Sequence, residues 1–133
     1  MVRPRFVRLA TTDIDPSSRQ PAGVLQTAYR LQRSHSLAPE RSADLKALIE
    51  WFGANLPEPD RLVRTKSKGF YRRDTVGISW FKVEATEHVA RIEAVARILE
   101  AHGIPVQRLE TTHPGYVVYE DSCQVVTVPF RDR

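Results

Sequence analysis

Residues 76–105 read VGISWFKVEATEHVARIEAVARILEAHGIP, and the hydrophobic period changes inside this stretch. Over 76–83 the apolar residues alternate: Val76, Ile78 and Trp80 share one face of a strand, Phe81 and Val83 the other. Apolar groups on both faces place that strand in the middle of a sheet. Thr86 is a suitable N-cap, and from there the period lengthens. Val89, Ile92, Val95, Ala96 and Leu99 form the buried stripe of a helix over 87–102. Gly103 is placed for a left-handed C-cap, with Pro105 just beyond. Residues 104–111 then read as another strand. The unit from 75 to 111 is therefore strand–helix–strand and fits a right-handed parallel crossover.

On the C-terminal side, His113-Pro114-Gly115 is a turn. Residues 116–120 and 123–128 form a hairpin across Asp121-Ser122, which is neither Asn-Gly nor Asp-Gly. Residues 131–133 are expected to fray. On the N-terminal side, 5–11 is a first strand with Pro4 before it, and 12–21 is loop chemistry rich in Asp, Ser and Pro. A helix fits 22–33, with Leu25, Ala28, Tyr29, Gln32 and Leu31 on its apolar side. Ser34-His35-Ser36 breaks it. A second helix starts at Pro39, where Leu45, Leu48, Ile49 and Phe52 recur at i, i+3, i+4 and i+7. Gly53 and Asn55 close it, and Pro57 and Pro59 prevent continuation. Leu48, Ile49, Phe52, Ile78, Trp80, Ile92, Val95 and Leu99 are the expected core. Trp51, beside Phe52 but off the stripe, is left to cover a loop or a partner subunit, which keeps a homodimer open. The order β-α-α-β-α-β-β-β predicts one α+β domain over 1–133: a mostly antiparallel sheet with three helices.

The chain has 133 residues, enough for a real core, with 41% hydrophobic and 27% charged residues, as in ordinary globular proteins. Its longest apolar runs fall far short of a membrane span. The N-terminus lacks the apolar region of a secretory signal, and the single cysteine, Cys123, excludes an internal disulfide. A cytoplasmic location is expected, without membrane contact.

Residues 57–74 have no period, which is long for a connection in a compact domain. Within them lies RLVRTKSKGFYRR, residues 61–73, holding Arg61, Arg64, Lys66, Lys68, Arg72 and Arg73 and no acid. The chain is formally +4 and these thirteen residues are +6, which leaves −2 for the other 120. The basicity is local. Arginines match phosphate oxygens, lysines add point charge, Gly69 allows close backbone approach, and Phe70 and Tyr71 offer rings for stacking on a base. A solvated loop is the plain alternative, since charge runs usually serve solubility.

Other candidates are weaker. His35, His88, His102 and His113 show no metal-ligand spacing, and there is no Cys-x-x-Cys, so no metal site is expected. His88 reads as a packed or capping residue, and His102 suits a helix C-terminus. Asp13 and Asp15 alternate as a magnesium pair would, but Asp-x-Asp-Pro-Ser-Ser is also an ordinary turn. His113, Glu120 and Asp121 have acid–base character. Tyr116 and Tyr119 fall on opposite faces of a strand, so only one of them can join such a site. Ser122 lacks a nucleophile-elbow context and Cys123 reads as a small buried residue. No glycine-rich nucleotide loop is present, and no cofactor is expected.

The first expectation is a non-catalytic domain that binds a polyanion, most plausibly nucleic acid, through residues 61–73. The leading β-α-α-β order and basic surface also resemble, at the level of architecture, the RelE/ParE-like toxins. That resemblance implies a metal-independent ribonuclease, with Arg or Lys steadying a phosphorane and His113 or Glu120 moving protons. The helix at 87–102 departs from the pattern. A third class is a regulatory subunit that offers the basic loop to an acidic protein.

Overall fold

The structure is a computed structural model and describes residues 5–14, 16, 20–56 and 78–128. The order is β1 (Phe6–Ile14), β2 (Pro21–Gly23), α1 (Val24–Ser34), α2 (Pro39–Asn55), β3 (Ile78–Lys82), α3 (Thr86–Ala101), β4 (Val106–Thr111), β5 (Tyr116–Glu120) and β6 (Gln124–Val128). The expected α+β order holds, with one strand added. The three-residue β2 takes the last residue of the stretch read as loop and the first two of the expected helix, and β1 runs three residues further than expected, through Ile14. A strand as short as β2 carries no readable alternation.

Local chemistry sets the helix ends. Pro39 opens α2 at its first position, after an extended Ala38. α1 stops where His35 turns left-handed at φ 57°, a region that His tolerates better than most side chains. Its neighbour Ser34 donates to the Leu31 carbonyl at 2.6 Å. α3 ends as its sequence predicts. Gly103 takes φ +91°, its N–H donates to Glu100 O, and Ile104 N–H donates to Leu99 O, both at 3.0 Å. These two bonds close a Schellman motif and satisfy two orphan carbonyls.

The sheet order is β4-β1-β3-β6-β5, with β2 beside the far half of β1. β1 is antiparallel to both β3 and β4. β3 and β4 are therefore parallel to each other, as a crossover requires, but β1 lies between them. The β3-α3-β4 unit is a split crossover rather than a pair of neighbours.

β3 and β2 share one edge of β1. Val7 pairs with Phe81 and Ala10 with Gly23, which leaves a gap beside Arg8. The Arg8 guanidinium fills it. Nη1 donates to Ser79 O at 3.2 Å and Nη2 to Pro21 O at 2.9 Å. One side chain thus satisfies strand carbonyls that have no backbone partner across the gap.

The link between β4 and β5 fixes the sheet's shape. These strands are four spacings apart, and their joined ends lie at opposite ends of the sheet: Thr111 lies beside Phe6, Tyr116 beside Val128. In a flat sheet those ends would be about 25 Å apart. Residues 112–115 allow five Cα steps, a reach of about 17–18 Å. The sheet therefore curls and its edges draw together. The link crosses the face away from the helices, where Thr127 Oγ1 donates to Pro114 O at 3.2 Å. Ala10, Ile78, Val125 and Thr127 are buried on that face.

The other face carries the core: Val7, Leu9, Val24, Ala28, Leu31, Leu45, Phe52, Phe81, Ile92, Val95, Ala96 and Leu99. Phe52, Ile92, Val95 and Leu99 are where periodicity puts them. Leu48 and Ile49 are only partly buried at its margin. Ile78 and Trp80 were expected in this cluster and are not. Val7 opposite Phe81 turns the Phe81 face of β3 toward the helices, and alternation sends Ile78 and Trp80 to the reverse side. In α1 the buried stripe is Val24, Ala28 and Leu31, while Tyr29 is exposed.

Two stability tests follow. Ile92→Ala should lower the unfolding free energy by about 2–5 kcal/mol, and Arg8→Met, which keeps the stem but removes the donors, by about 1–3 kcal/mol. Ile14→Ala, at a position 60% exposed, should change it by no more than about 0.5 kcal/mol. Urea denaturation measures all three, and an Arg8→Met protein as stable as wild type would rule out the gap-bridging role.

Candidate functional site

Arg61, Arg64, Lys66, Lys68, Phe70, Tyr71, Arg72 and Arg73 all lie outside the described residues. The described residues next to that stretch are Leu56, at the end of α2, and Ile78, at the start of β3.

The Leu56 end is built from rings. Trp51 packs edge-on against Phe52 with centroids 5.1 Å apart, and against the His88 ring at 4.8 Å. Phe81 lies 6.0 Å from both Phe52 and His88. The Arg91 guanidinium sits 4.4 Å from the Trp51 ring centre, and Glu87 holds it at 3.0 Å. His88 Nε2 is 2.8 Å from Asn55 O. A carbonyl only accepts, so Nε2 carries the proton. His88 thereby caps an orphan carbonyl at the C-terminus of α2 from the first turn of α3. Trp51 covers this junction within its own chain.

At the Ile78 end, β3 pairs with β6, and β6 with β5. The register of β5 shifts between Val117 and Tyr119, so Tyr116 faces Val128 and Tyr119 faces Val126. Residues two apart share a face, which puts both tyrosines on one side of the sheet. The expectation of opposite faces fails because the irregularity at Val118 takes up one residue. Tyr116 is 62% exposed.

Asp121 organises the β5–β6 turn. Its Oδ1 accepts from Cys123 N–H at 2.9 Å, Gln124 N–H at 3.0 Å and Cys123 Sγ at 3.2 Å. Its Oδ2 accepts from Tyr119 O–H at 2.9 Å and Gln124 Nε2 at 3.2 Å. Gln124 Oε1 in turn accepts from Ser79 Oγ at 2.7 Å, which ties the turn to β3. This aspartate side chain supplies what an Asn-Gly turn would supply through backbone geometry. Partial burial pushes the Asp121 carboxyl up, but the donors from Cys123, Tyr119 and Gln124 outweigh it and hold it down at about 2. Burial first, then the Asp121 carboxylate, pushes the Cys123 thiol up to about 11. A thiol so raised is protonated at neutral pH and a poor nucleophile.

The remaining candidates are dispersed. Asp13 is exposed within β1, with its N–H donating to Thr11 Oγ1, and Asp15 lies outside the described residues. His113 is exposed, its Nδ1 2.9 Å from Thr112 Oγ1. Glu120 is held by Lys82 Nζ at 2.7 Å. No hydrogen bond joins His113 to Glu120. His102 is the C-cap residue of α3. Among the described residues, no group of three or more His, Cys, Asp or Glu side chains is placed to hold a metal ion, and no helix is long and apolar enough to cross a membrane.

The Asp121 network predicts a pH dependence. A carboxyl lowered from 3.8 to about 2 adds stability above its unfolded value and loses it as pH falls through that window. Asp121→Asn should therefore melt below wild type at neutral pH, with the difference shrinking as pH falls from about 4 towards 2. Thermal melts across that range measure it, and a gap that stays constant would show that the carboxylate charge has no part in it. Cys123 should resist an aromatic disulfide reagent in the native protein and react on unfolding.

Comparison of this chain with protein-family models, with curated proteins and with solved structures finds no match.

Proposed function

We propose that this protein binds a polyanion, nucleic acid first among them, through residues 61–73, and performs no chemistry of its own. The observation that carries the reading is the local charge: six cations and no acid in thirteen residues, interleaved with Phe70 and Tyr71, against a net −2 in the remainder. Phosphate contacts supply affinity and stacked rings supply contact with bases. The described residues that flank the wider stretch are Leu56, at the end of α2, and Ile78, in the interior strand β3. Tyr116 adds an exposed ring two strands from Ile78.

The ribonuclease alternative has less to draw on. His113 and Glu120 are not brought together by any hydrogen bond, and Glu120 is committed to Lys82. Asp121 holds a turn, His88 caps a helix and Glu120 is ion-paired.

Fluorescence anisotropy with labelled single- and double-stranded oligonucleotides at several salt concentrations tests the proposal. Changing Arg64, Lys66, Lys68 and Arg72 to alanine should weaken binding, and each lost phosphate contact should flatten the log–log salt slope by roughly 0.7 for single strands or 0.9 for duplex. Tyr71→Ala should cost about 1–3 kcal/mol with little change in slope. Absence of binding by wild-type protein at low salt would defeat the reading. Cleavage of RNA without metal would replace it with the ribonuclease.

A further inference from the structure

On the solvent side of the seam between α2 and α3 lies an open groove of about 480 Å³, lined by Arg41, Asp44, Ala47, Leu48, Ala94, Arg97 and Ile98. Its origin is simple. Ala47 and Ala94 stand where larger side chains would fill the seam, and their small size leaves a depression whose floor is Leu48 and Ile98. Both floor residues are partly buried and pack on the core. The groove is therefore an extension of the core to the surface.

Its rim carries two arginines, Arg41 and Arg97, and one acid, Asp44. The other cations on α3, β3 and β4 are ion-paired: Arg91 with Glu87, Lys82 with Glu120, and Arg108 with Glu93 and Glu110. Among the described residues, Arg41, Arg97 and Asp44 make no hydrogen bond or ion pair. Two unpaired guanidiniums beside one carboxylate leave the rim net positive. Among the described residues two helices bound the depression, which is too open to enclose a small molecule that needs most of its surface covered. A segment laid along it meets no such demand. Two helices side by side with an apolar seam present the geometry of helix-in-groove recognition.

We infer that the α2/α3 groove is a docking site for an acidic amphipathic helix of a protein partner. The partner's apolar side chains enter over Ala47 and Ala94, and two of its carboxylates meet Arg41 and Arg97 in charge-assisted, bidentate pairs. Arg41 and Arg97 come from different helices, so they fix the register and direction of the incoming helix as well as its charge. None of its lining residues belongs to 61–73, and the inference stands whether or not those residues bind nucleic acid.

The test uses the full chain, labelled with nitrogen-15, and a synthetic amphipathic helix with leucines on one face flanked by glutamates. The expected result is saturable shifts of the amides of Ala47, Leu48, Ala94 and Ile98. The same peptide with lysine in place of each glutamate should not produce them. Arg41→Ala combined with Arg97→Ala should weaken binding about tenfold or more. Ala47→Trp, at an exposed position that leaves the core untouched, should abolish binding by filling the groove without lowering the melting temperature. The inference is overturned if the acidic helix does not bind, if the lysine peptide binds equally, or if the shifts map elsewhere. It is also overturned if an oligonucleotide shifts these same amides, or if sedimentation shows a dimer that Ala47→Trp disrupts. Those outcomes would give the groove to nucleic acid or to a second copy of the chain.

Discussion

The hydrogen bonds from Arg8 to the carbonyls of Ser79 and Pro21 bridge the gap between β3 and β2 along one edge of β1. β1 is the organising strand. β4 runs along one edge of it, and β3 and β2 divide the other. Two strands that end against the same edge leave backbone groups facing a gap, and unpaired groups away from water are costly. A guanidinium spans the gap with donors in a fixed fork. With β1 held in the middle, β3 and β4 become parallel partners across it. α3 then crosses the face that carries Val7, Leu9 and Phe81.

The curl of the sheet follows from a second constraint, the short link between β4 and β5. Because the link is too short to join the edges of a flat sheet, it draws them together. This is why residues on the face away from the helices are buried as well. It also accounts for the fully buried Thr127, whose hydroxyl donates to Pro114 O on the link that crosses there. The Asp121 network and the His88 cap then complete the periphery. One joins elements distant in sequence and the other closes a turn, each with a single side chain, and His88 takes the capping role its sequence position suggested.

Much of this fold was legible in the sequence. The period change between 76–83 and 87–102 marked the strand and helix. Gly103 marked the Schellman stop, and Pro39 the start of α2. The misreadings have definite causes. β2 has too few residues to alternate. The shift at Val118 in β5 reversed the relation of Tyr116 to Tyr119, because a bulge changes the count without changing composition. Ile78 and Trp80 left the helix-facing core because a strand with apolar residues on both sides does not say which side meets the helices. That choice was made by the pairing of Phe81 with Val7.

For function the division is similar. The sequence by itself determined the order of elements and the concentration of charge at residues 61–73, since both are properties of neighbours along the chain. Only the tertiary structure decided that β1 separates β3 from β4, that Arg8 closes a gap, and that His88 caps a different helix. It also decided that two alanines and two unpaired arginines from separate helices border one groove. These relations join residues far apart in sequence, and local period and composition carry no information about them. They are set by strand pairing, chain reach and the need to satisfy each buried polar group.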